Sequence, residues 1–467
     1  MRIIRTVGQL QLALLLILAG LWIRPFSIWG LPSTWYAARF IHLIPLAIAL
    51  ICTTLTWRSN APITKSARFW WFSITALTLW SLASQGWAFL NHFPPSSPNY
   101  HPEIAANSAF QGVLMLGWVW AVAVLKPPIR WMVAALLLAL ALHSIITVIQ
   151  AWQQHSVGLS WLGEFNTYPD KDGSSVLTAT GIRWLRPYGF LPHPNHLGGV
   201  LTVCLLACGG WLLGEQRVGL AVMLAPVGLY ALLLTFSRAA WLGFAVGAIL
   251  FVVLSWRTLW RQWRRVIITL VAMVSTSILF IAGYWPLIVE RAAPITGIAL
   301  QEEAIQSGQT QSTEARSVSD RRVYTALTWG IIRDFPLRGV GAGNLPWKIS
   351  QRLIRTSYDL RGNYVHNIYL AAWGDLGIVG LTLYGASIFG GIGLGIWRHH
   401  QQPNPLNAAL IAGACAWAVV GLFDYYPYTL LPLQLLWWGL IVLPILEPSS
   451  AAGASATDHT PPPLPLH

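Results

Sequence analysis

Apolar residues run along this chain in blocks of about twenty that recur from end to end, with polar residues gathered between them. At 1.5 Å of rise per residue, each block is long enough as a helix to cross a hydrocarbon core of roughly 30 Å. The blocks predict spans at about 8–26, 36–57, 69–90, 108–125, 130–150, 195–213, 217–234, 237–255, 266–285, 376–397, 406–424 and 428–446. The expected fold class is therefore all-α and polytopic, with about twelve transmembrane helices and a long extracytoplasmic loop between the ninth and tenth. The first block is long, lacks a small-residue cleavage site and is followed by another span, so it is expected to stay as an anchor.

Composition strengthens this picture. Of 467 residues, 55% are hydrophobic and only 10% charged, too little polar surface for a soluble domain of that length. Lys and Arg near the span ends set the orientation. An N-terminus in the cytoplasm puts Arg2, Arg5, Arg58, Lys65, Arg68, Lys126, Arg130, Arg217, Arg257, Arg261, Arg264, Arg265 and Arg398 inside, and leaves Arg24 and Arg39 in the first outer loop. Part of the net charge of +13 is thus a topology signal. Membrane lipids are expected partners and nucleic acid is not. Cys52, Cys204, Cys208 and Cys415 all fall inside spans, which suits packing better than a disulfide framework.

The chain divides accordingly. Residues 1–150 carry spans one to five, 151–194 form an extracytoplasmic loop, and 195–285 carry spans six to nine. A large extracytoplasmic loop follows at 286–375, then spans ten to twelve at 376–446 and a Pro-rich cytoplasmic tail at 447–467 that is expected to be disordered. Both outer loops are far longer than connection requires, and long loops usually carry function. Between 286 and 365 there are ten cations against seven acids, a balance that suggests an anionic ligand. Helical spacing from Asp320 to Ile332 puts Val323, Leu327 and Ile331 or Ile332 on one face, and Pro336 should stop that helix. Gly339, Gly341 and Gly343, ahead of Asn344, resemble a phosphate-cradling loop, but no strand precedes them. A tight turn that brings backbone close to ligand or membrane surface is the safer account.

Inside the spans Asp, Glu, Lys and Arg are almost absent. An ion-coupled transporter generally needs ionisable groups near the midplane, so a transporter fits less well. His42 and His143 are expected to be neutral and hydrogen-bonded within the bundle. Charge gathers instead at the outer ends of helices. Arg238 lies between two apolar runs with almost no loop to hold it, at a cost of about 2.5 kcal/mol or more unless it snorkels or is paired. It is on the wrong side for a topology anchor, which favours function. Arg186 precedes Pro192-His193-Pro194-Asn195-His196, where no Cys or carboxylate stands at metal-ligand spacing. Asp170-Lys171-Asp172 is followed by Gly173, Ser174 and Ser175, which is the chemistry of a solvated turn. His366 opens an apolar stretch directly after the basic loop. It is either a structural histidine or a group poised to take a proton near neutral pH.

Taken in order, these pieces resemble the O-antigen ligase and polymerase superfamily of bacterial membrane glycosyltransferases. They are Arg186 to Gly189 with Pro194-Asn195; Ser237-Arg238-Ala239-Ala240-Trp241-Leu242-Gly243; Arg321 ahead of Pro336; the turn from Gly339 to Asn344; and His366-Asn367-Ile368-Tyr369-Leu370 with Gly377 and Gly380. One departure is Asp375, where the family pattern usually has Glu. The resemblance implies a GT-C-like architecture and a donor glycan on undecaprenyl pyrophosphate. The glycan would pass to a lipid, glycan or protein acceptor at the outer face of the bacterial inner membrane, without metal or nucleotide cofactor. Lipopolysaccharide assembly is one such setting. Arg186 and Arg238 would hold the pyrophosphate, and His366 would deprotonate or orient the acceptor hydroxyl. Arg321, the three glycines, Asn195 and Asn367 would bind or shape the substrate site. A polysaccharide polymerase and a small-anion transporter are the alternatives, and Asn367 after the histidine resembles the ligase branch.

Overall fold

The computed structural model describes residues 1–22, 40–57, 65–91, 102–179, 181–216, 218–296, 313–353 and 364–446. The tail at 447–467 and the expected loop cations Arg24, Arg39, Arg355 and Arg361 lie outside them. Helices dominate: α1 (Arg2–Leu18), α2 (Phe40–Thr56), α3 (Lys65–Asn91), α4 (Pro102–Leu125), α5 (Ile129–Gln153), α6 (Pro194–Gly214), α7 (Gly219–Leu234), α8 (Arg238–Arg261) and α9 (Trp263–Thr296). Then come α10 (Thr313–Asp334), α11 (Leu345–Arg352), α12 (Ile368–Gln401), α13 (Pro405–Val420), the single turn α14 (Tyr426–Thr429) and α15 (Leu431–Val442). A helix occupies each of the expected apolar blocks. Among the described residues, six helices are long and apolar enough to cross a membrane, and shorter apolar helices accompany them.

Small residues let the central helices touch backbone to backbone. A Cβ placed on Gly243 of α8 would stand 2.9 Å from the carbonyl oxygen of Ala416 in α13, and one on Gly247 would stand 3.1 Å from that of Ala412. Such small-xxx-small seams suit a lipid environment, where close van der Waals packing rather than hydrophobic burial joins helices. Tryptophans tie α13 to two further helices: Trp417 Nε1 donates to the Gly199 carbonyl of α6 at 2.7 Å, and Trp437 Nε1 of α15 to the Ala414 carbonyl at 3.1 Å. His42 is fully buried with its Nε2 2.8 Å from the Leu18 carbonyl oxygen, as expected of a bundle histidine. All four cysteines are free thiols.

The segment after α5 is an ordered cap rather than an open loop. β1 (Val176–Ala179) and β2 (Ile182–Leu185) pair antiparallel, a small exception to the all-helical expectation. The Glu164 carboxylate accepts from the amides of Val157, Gly158 and Leu159 at 2.6–2.8 Å. Gln150, at the end of α5, donates to Glu164 at 2.7 Å, and its Oε1 accepts from the amides of Tyr188 and Gly189 at 3.0 and 2.8 Å. These bonds seat the chain just after Arg186. Asp170-Lys171-Asp172 forms the expected exposed turn, closed at Gly173 with φ +79.

Two expectations need correction. The buried face of α10 runs through Tyr324, Thr328 and Ile331, not through Val323, which is 37% exposed. Apolar residues alone do not mark that face, because the helix also buries a threonine and a tyrosine, the latter packed in an apolar cluster with Val340, Leu345 and Val365. The helix that holds the tenth apolar block also begins earlier than 376: α12 starts at Ile368, turns non-helical at Gly377, and carries Asp375 just ahead of that break.

Candidate active site

The turn between α7 and α8 is where the site begins. Phe236 adopts a left-handed conformation with φ +48, uncommon for a bulky residue and costly by about 1–2 kcal/mol. It is held there by full burial against Phe280 and Tyr284, at ring separations of 5.4 and 6.1 Å. The turn presents two backbone carbonyls side by side. Thr235 accepts from Arg186 Nε at 2.8 Å, and Phe236 accepts from Arg291 Nε at 3.0 Å. Arg238, the first residue of α8, closes the loop by donating from Nη1 to the Arg291 carbonyl at 3.0 Å. A non-helical residue in α9, Tyr284, marks the kink beyond which the last turns carry Arg291.

Arg186 is only 4% exposed, yet among the described residues no carboxylate is bonded to it directly. Its other two nitrogens donate to Ser175 Oγ at 2.9 Å and Asn195 Oδ1 at 2.8 Å. Asn195 then relays charge, since its Nδ2 donates to Asp424 Oδ2 at 2.9 Å. The relay is fixed by local sequence: Pro194 is the first residue of α6, and His193 Nδ1 accepts from the Asn195 amide at 3.1 Å, capping the helix. Burial pushes the Arg186 guanidinium down to about 10; Tyr188 opposes that shift, and Arg321 and Arg238 add to it. It remains a cation at neutral pH.

Arg321 projects from α10 into the same space. Its Nε is buried with no hydrogen-bond partner among the described residues, and its charge is felt by Arg186, Arg238, Arg291, His193 and His366. Four guanidinium groups from four separate elements thus share one region, with Asp424 as the nearby carboxylate. Burial and the neighbouring His196, Arg186, Arg321 and His366 hold His193 well below the usual imidazole range, so it stays neutral.

His366 stands at the edge of this region, on the segment leading into α12. Its ring lies 5.0 Å from that of Tyr425 and 6.2 Å from that of Tyr324. Nδ1 is buried without a hydrogen-bond partner among the described residues, which leaves a lone pair or proton to share. Burial lowers the imidazole below its ordinary value; Asp424 opposes the shift and Arg321 reinforces it. The side chain is a neutral imidazole at pH 7. Asn367 next to it is the N-cap of α12: its Oδ1 accepts from the amides of Tyr369 and Leu370, both at 2.9 Å, and its Nδ2 donates to the Leu422 carbonyl at 3.2 Å. It ties the histidine segment to the one that carries Asp424.

The glycine turn is engaged differently. The amide of Gly339 donates to Phe335 at 3.1 Å, that of Val340 to Gly374 at 2.9 Å and that of Gly341 to Asp375 at 2.7 Å. Gly339 has φ +67, and a Cβ on it would sit 2.5 Å from the Asp375 carbonyl. The turn docks directly on α12, where the helix is interrupted at Gly377 (φ +70). Below the turn, Asp375 is fully buried. Its Oδ1 accepts from the Leu345 amide at 2.9 Å, and its Oδ2 from the hydroxyls of Tyr364 and Tyr428, both at 3.1 Å. Tyr364 lies two residues before His366 and Tyr428 four after Asp424, so one carboxylate braces both arms of the site.

The structure therefore brings Arg186, Arg238, Arg321, Asn195 and His366 into one neighbourhood, while Asn367 and the glycines hold the frame around it. Sequence reasoning missed Asp424 and the part played by Arg291. Asp424-Tyr425-Tyr426 stands between two apolar runs as Arg238 does, and that same signal would have flagged it. Arg291 was visible only as one cation among the loop's many.

Fold and site together define a polytopic helical membrane protein with a cationic cluster and a neutral histidine at one end of its bundle. Residues 220–385 match the family model described as O-antigen ligase. This supports the O-antigen ligase superfamily, the resemblance carried by the sequence motifs, and in general a membrane glycan ligase or polymerase. The matched stretch includes Arg238, Arg291, Arg321, the glycine turn and His366; Arg186 and Asn195 precede it and Asp424 follows it. No curated protein matches the chain.

Proposed function

We propose that this protein is a ligase that moves a glycan from undecaprenyl pyrophosphate to an acceptor hydroxyl at the outer face of the bacterial inner membrane. The observation that carries the reading is the convergence of Arg186, Arg238, Arg291 and Arg321, with Asp424 reached from Arg186 through Asn195. Like charges gathered in a desolvated place favour an anion that neutralises them, and guanidinium forks suit phosphate oxygens. A diphosphate at headgroup level has that chemistry, with its polyprenyl chain against the apolar helices.

In the reaction the bond between the anomeric carbon and the pyrophosphate oxygen breaks. The electron pair leaves with the diphosphate, where Arg186, Arg238 and Arg321 meet the added charge. Stabilisation of this kind is often worth about 3 kcal/mol per donor. In this reading the guanidinium groups do that work and no metal is required. The acceptor oxygen bonds to the anomeric carbon, and His366 takes its proton. Being neutral and unpartnered at Nδ1, the imidazole is in the form that accepts one.

The transporter alternative gains a fully buried carboxylate in Asp375, but its three donors belong to the protein itself. A carboxylate so satisfied suits bracing better than ion carriage. The deciding experiment is deletion of the gene and complementation with wild type or His366→Ala, read as cell-surface glycan on gels. Wild type should restore the glycan and the variant should not; restoration by the variant ends the assignment of this histidine. Bicarbonate uptake into liposomes that is lost in Arg238→Ala would establish transport instead.

A further inference from the structure

The helices that begin at Pro194 and Arg238 end at the opposite side of the bundle, roughly 30–36 Å from the arginine cluster by helix length. There α8 stops at Arg261, Gln262 breaks the helix and α9 starts at Trp263. The turn is fastened to its neighbours. Gln262 Nε2 donates to the Leu213 carbonyl at 2.7 Å, and Arg265 Nη1 donates to Gln262 Oε1 at 3.0 Å and to the Glu215 carbonyl at 3.3 Å. Between the turn and the end of α6 lies a notch of about 540 Å³ lined by Arg261, Arg264, Arg265, Trp263 and Glu215, among others. Glu215 is the one carboxylate in that lining, and it pairs outward with Arg130 at 3.5 Å. The notch keeps an excess of positive charge.

Its surroundings indicate what enters it. Trp256, Trp260 and Trp263 are all more than half exposed around the turn, and tryptophan favours the headgroup level of a bilayer. Arg257 and Arg264 sit over the Trp256 and Trp263 rings at 5.5 Å, which holds guanidinium groups at that same level. Only 28% of the apolar window of α8 and 11% of that of α9 is buried within the protein, so the notch opens beside surface left for lipid. Cations near span ends are expected merely from topology. A hydrogen-bonded concavity that focuses three of them is more than topology needs.

We propose that this notch binds the phosphate of an anionic phospholipid, with Arg261 and Arg264 on the phosphate oxygens and Trp263 along the glycerol backbone. The site is remote from the arginine cluster and does not depend on the transferase reading. To test it, the full-length protein in neutral detergent is titrated with dihexanoyl phosphatidylglycerol, dihexanoyl phosphatidylcholine or inorganic phosphate, and thermal unfolding is followed. Phosphatidylglycerol should raise Tm saturably, phosphatidylcholine should not, and inorganic phosphate at equal concentration should act far more weakly. Arg261→Gln/Arg264→Gln should weaken the apparent affinity for phosphatidylglycerol about tenfold or more. Arg261→Lys/Arg264→Lys keeps the charge and the fold and should retain most of it. An equal response to phosphatidylcholine, an equal response in the Gln variant, or inorganic phosphate matching the lipid would each overturn the proposal.

Discussion

Arg186 and Asp375 are both buried ionisable groups, yet their surroundings are built on opposite plans. Around Asp375 the chain supplies a backbone amide and two tyrosine hydroxyls to one carboxylate. Around Arg186 it supplies neutral acceptors, and then crowds in Arg238, Arg291 and Arg321 with Asp424 reached only through Asn195. The first group is satisfied and cannot gain much from a ligand. The second is desolvated and, among the described residues, gathers several groups of one sign of charge, a condition that favours an anion. The difference separates a brace from a site.

Substitutions should divide along that line. The largest effect is expected for His366→Ala, which should lower glycan transfer in a reconstituted assay by about 10²- to 10⁴-fold while thermal unfolding changes little. If unfolding falls with activity, the histidine belongs with the brace. Arg186→Lys should follow, with a loss of about 10²- to 10³-fold in turnover. A lysine keeps the charge but cannot reach Thr235, Ser175 and Asn195 at once. Near-wild-type turnover in that variant would show that charge alone suffices and that the fork geometry is incidental.

Asp375→Ala should behave oppositely. It strands the Leu345 amide and two tyrosine hydroxyls, and should cost about 3 kcal/mol of stability, read as a lower Tm in detergent. Asp375→Glu should recover most of that loss, because a cavity of about 90 Å³ borders the carboxylate and leaves room for one more methylene. A stable Asp375→Ala protein that has lost activity would move this residue from the brace into the site.

The smallest effect concerns pH. His366 is held below its ordinary value by burial, so the folded protein binds its proton less readily than the unfolded chain does. Any stability linked to this group is complete above about pH 6.5 and declines as pH falls toward the lowered folded value. Activity should therefore persist at pH 6, where a free imidazole would be mostly protonated, and a pH–rate profile that drops near 6.5 would contradict the burial argument. His366→Asn should flatten the acid side of the Tm profile.

Much of this was legible in the sequence. Apolar blocks located the helices, though the ends of α1, α9 and α12 differ from the blocks by about eight residues or more. Arg238 stood out because a charge between two spans needs a reason. His366 was marked by its place between a basic loop and an apolar run. Less visible was the tenth span, where Asn367 caps the helix and recruits Asp375 into it. The buried face of α10 was also hidden, since it runs through a tyrosine and a threonine, of which Tyr324 packs in an apolar cluster with Val340, Leu345 and Val365. Asp424 was lost at the edge of an apolar block.

The sequence by itself determined that this chain is helical and spans a membrane, and which families it is similar to, because those properties depend on local composition and on motif order. Only the tertiary structure decided which cations meet. Arg186, Arg238, Arg291 and Arg321 are spread over 136 residues, and their convergence rests on a strained turn at Phe236, a kink at Tyr284 and helix seams made of glycine and alanine. Such long-range closeness is a property of packing, and no spacing along the chain encodes it.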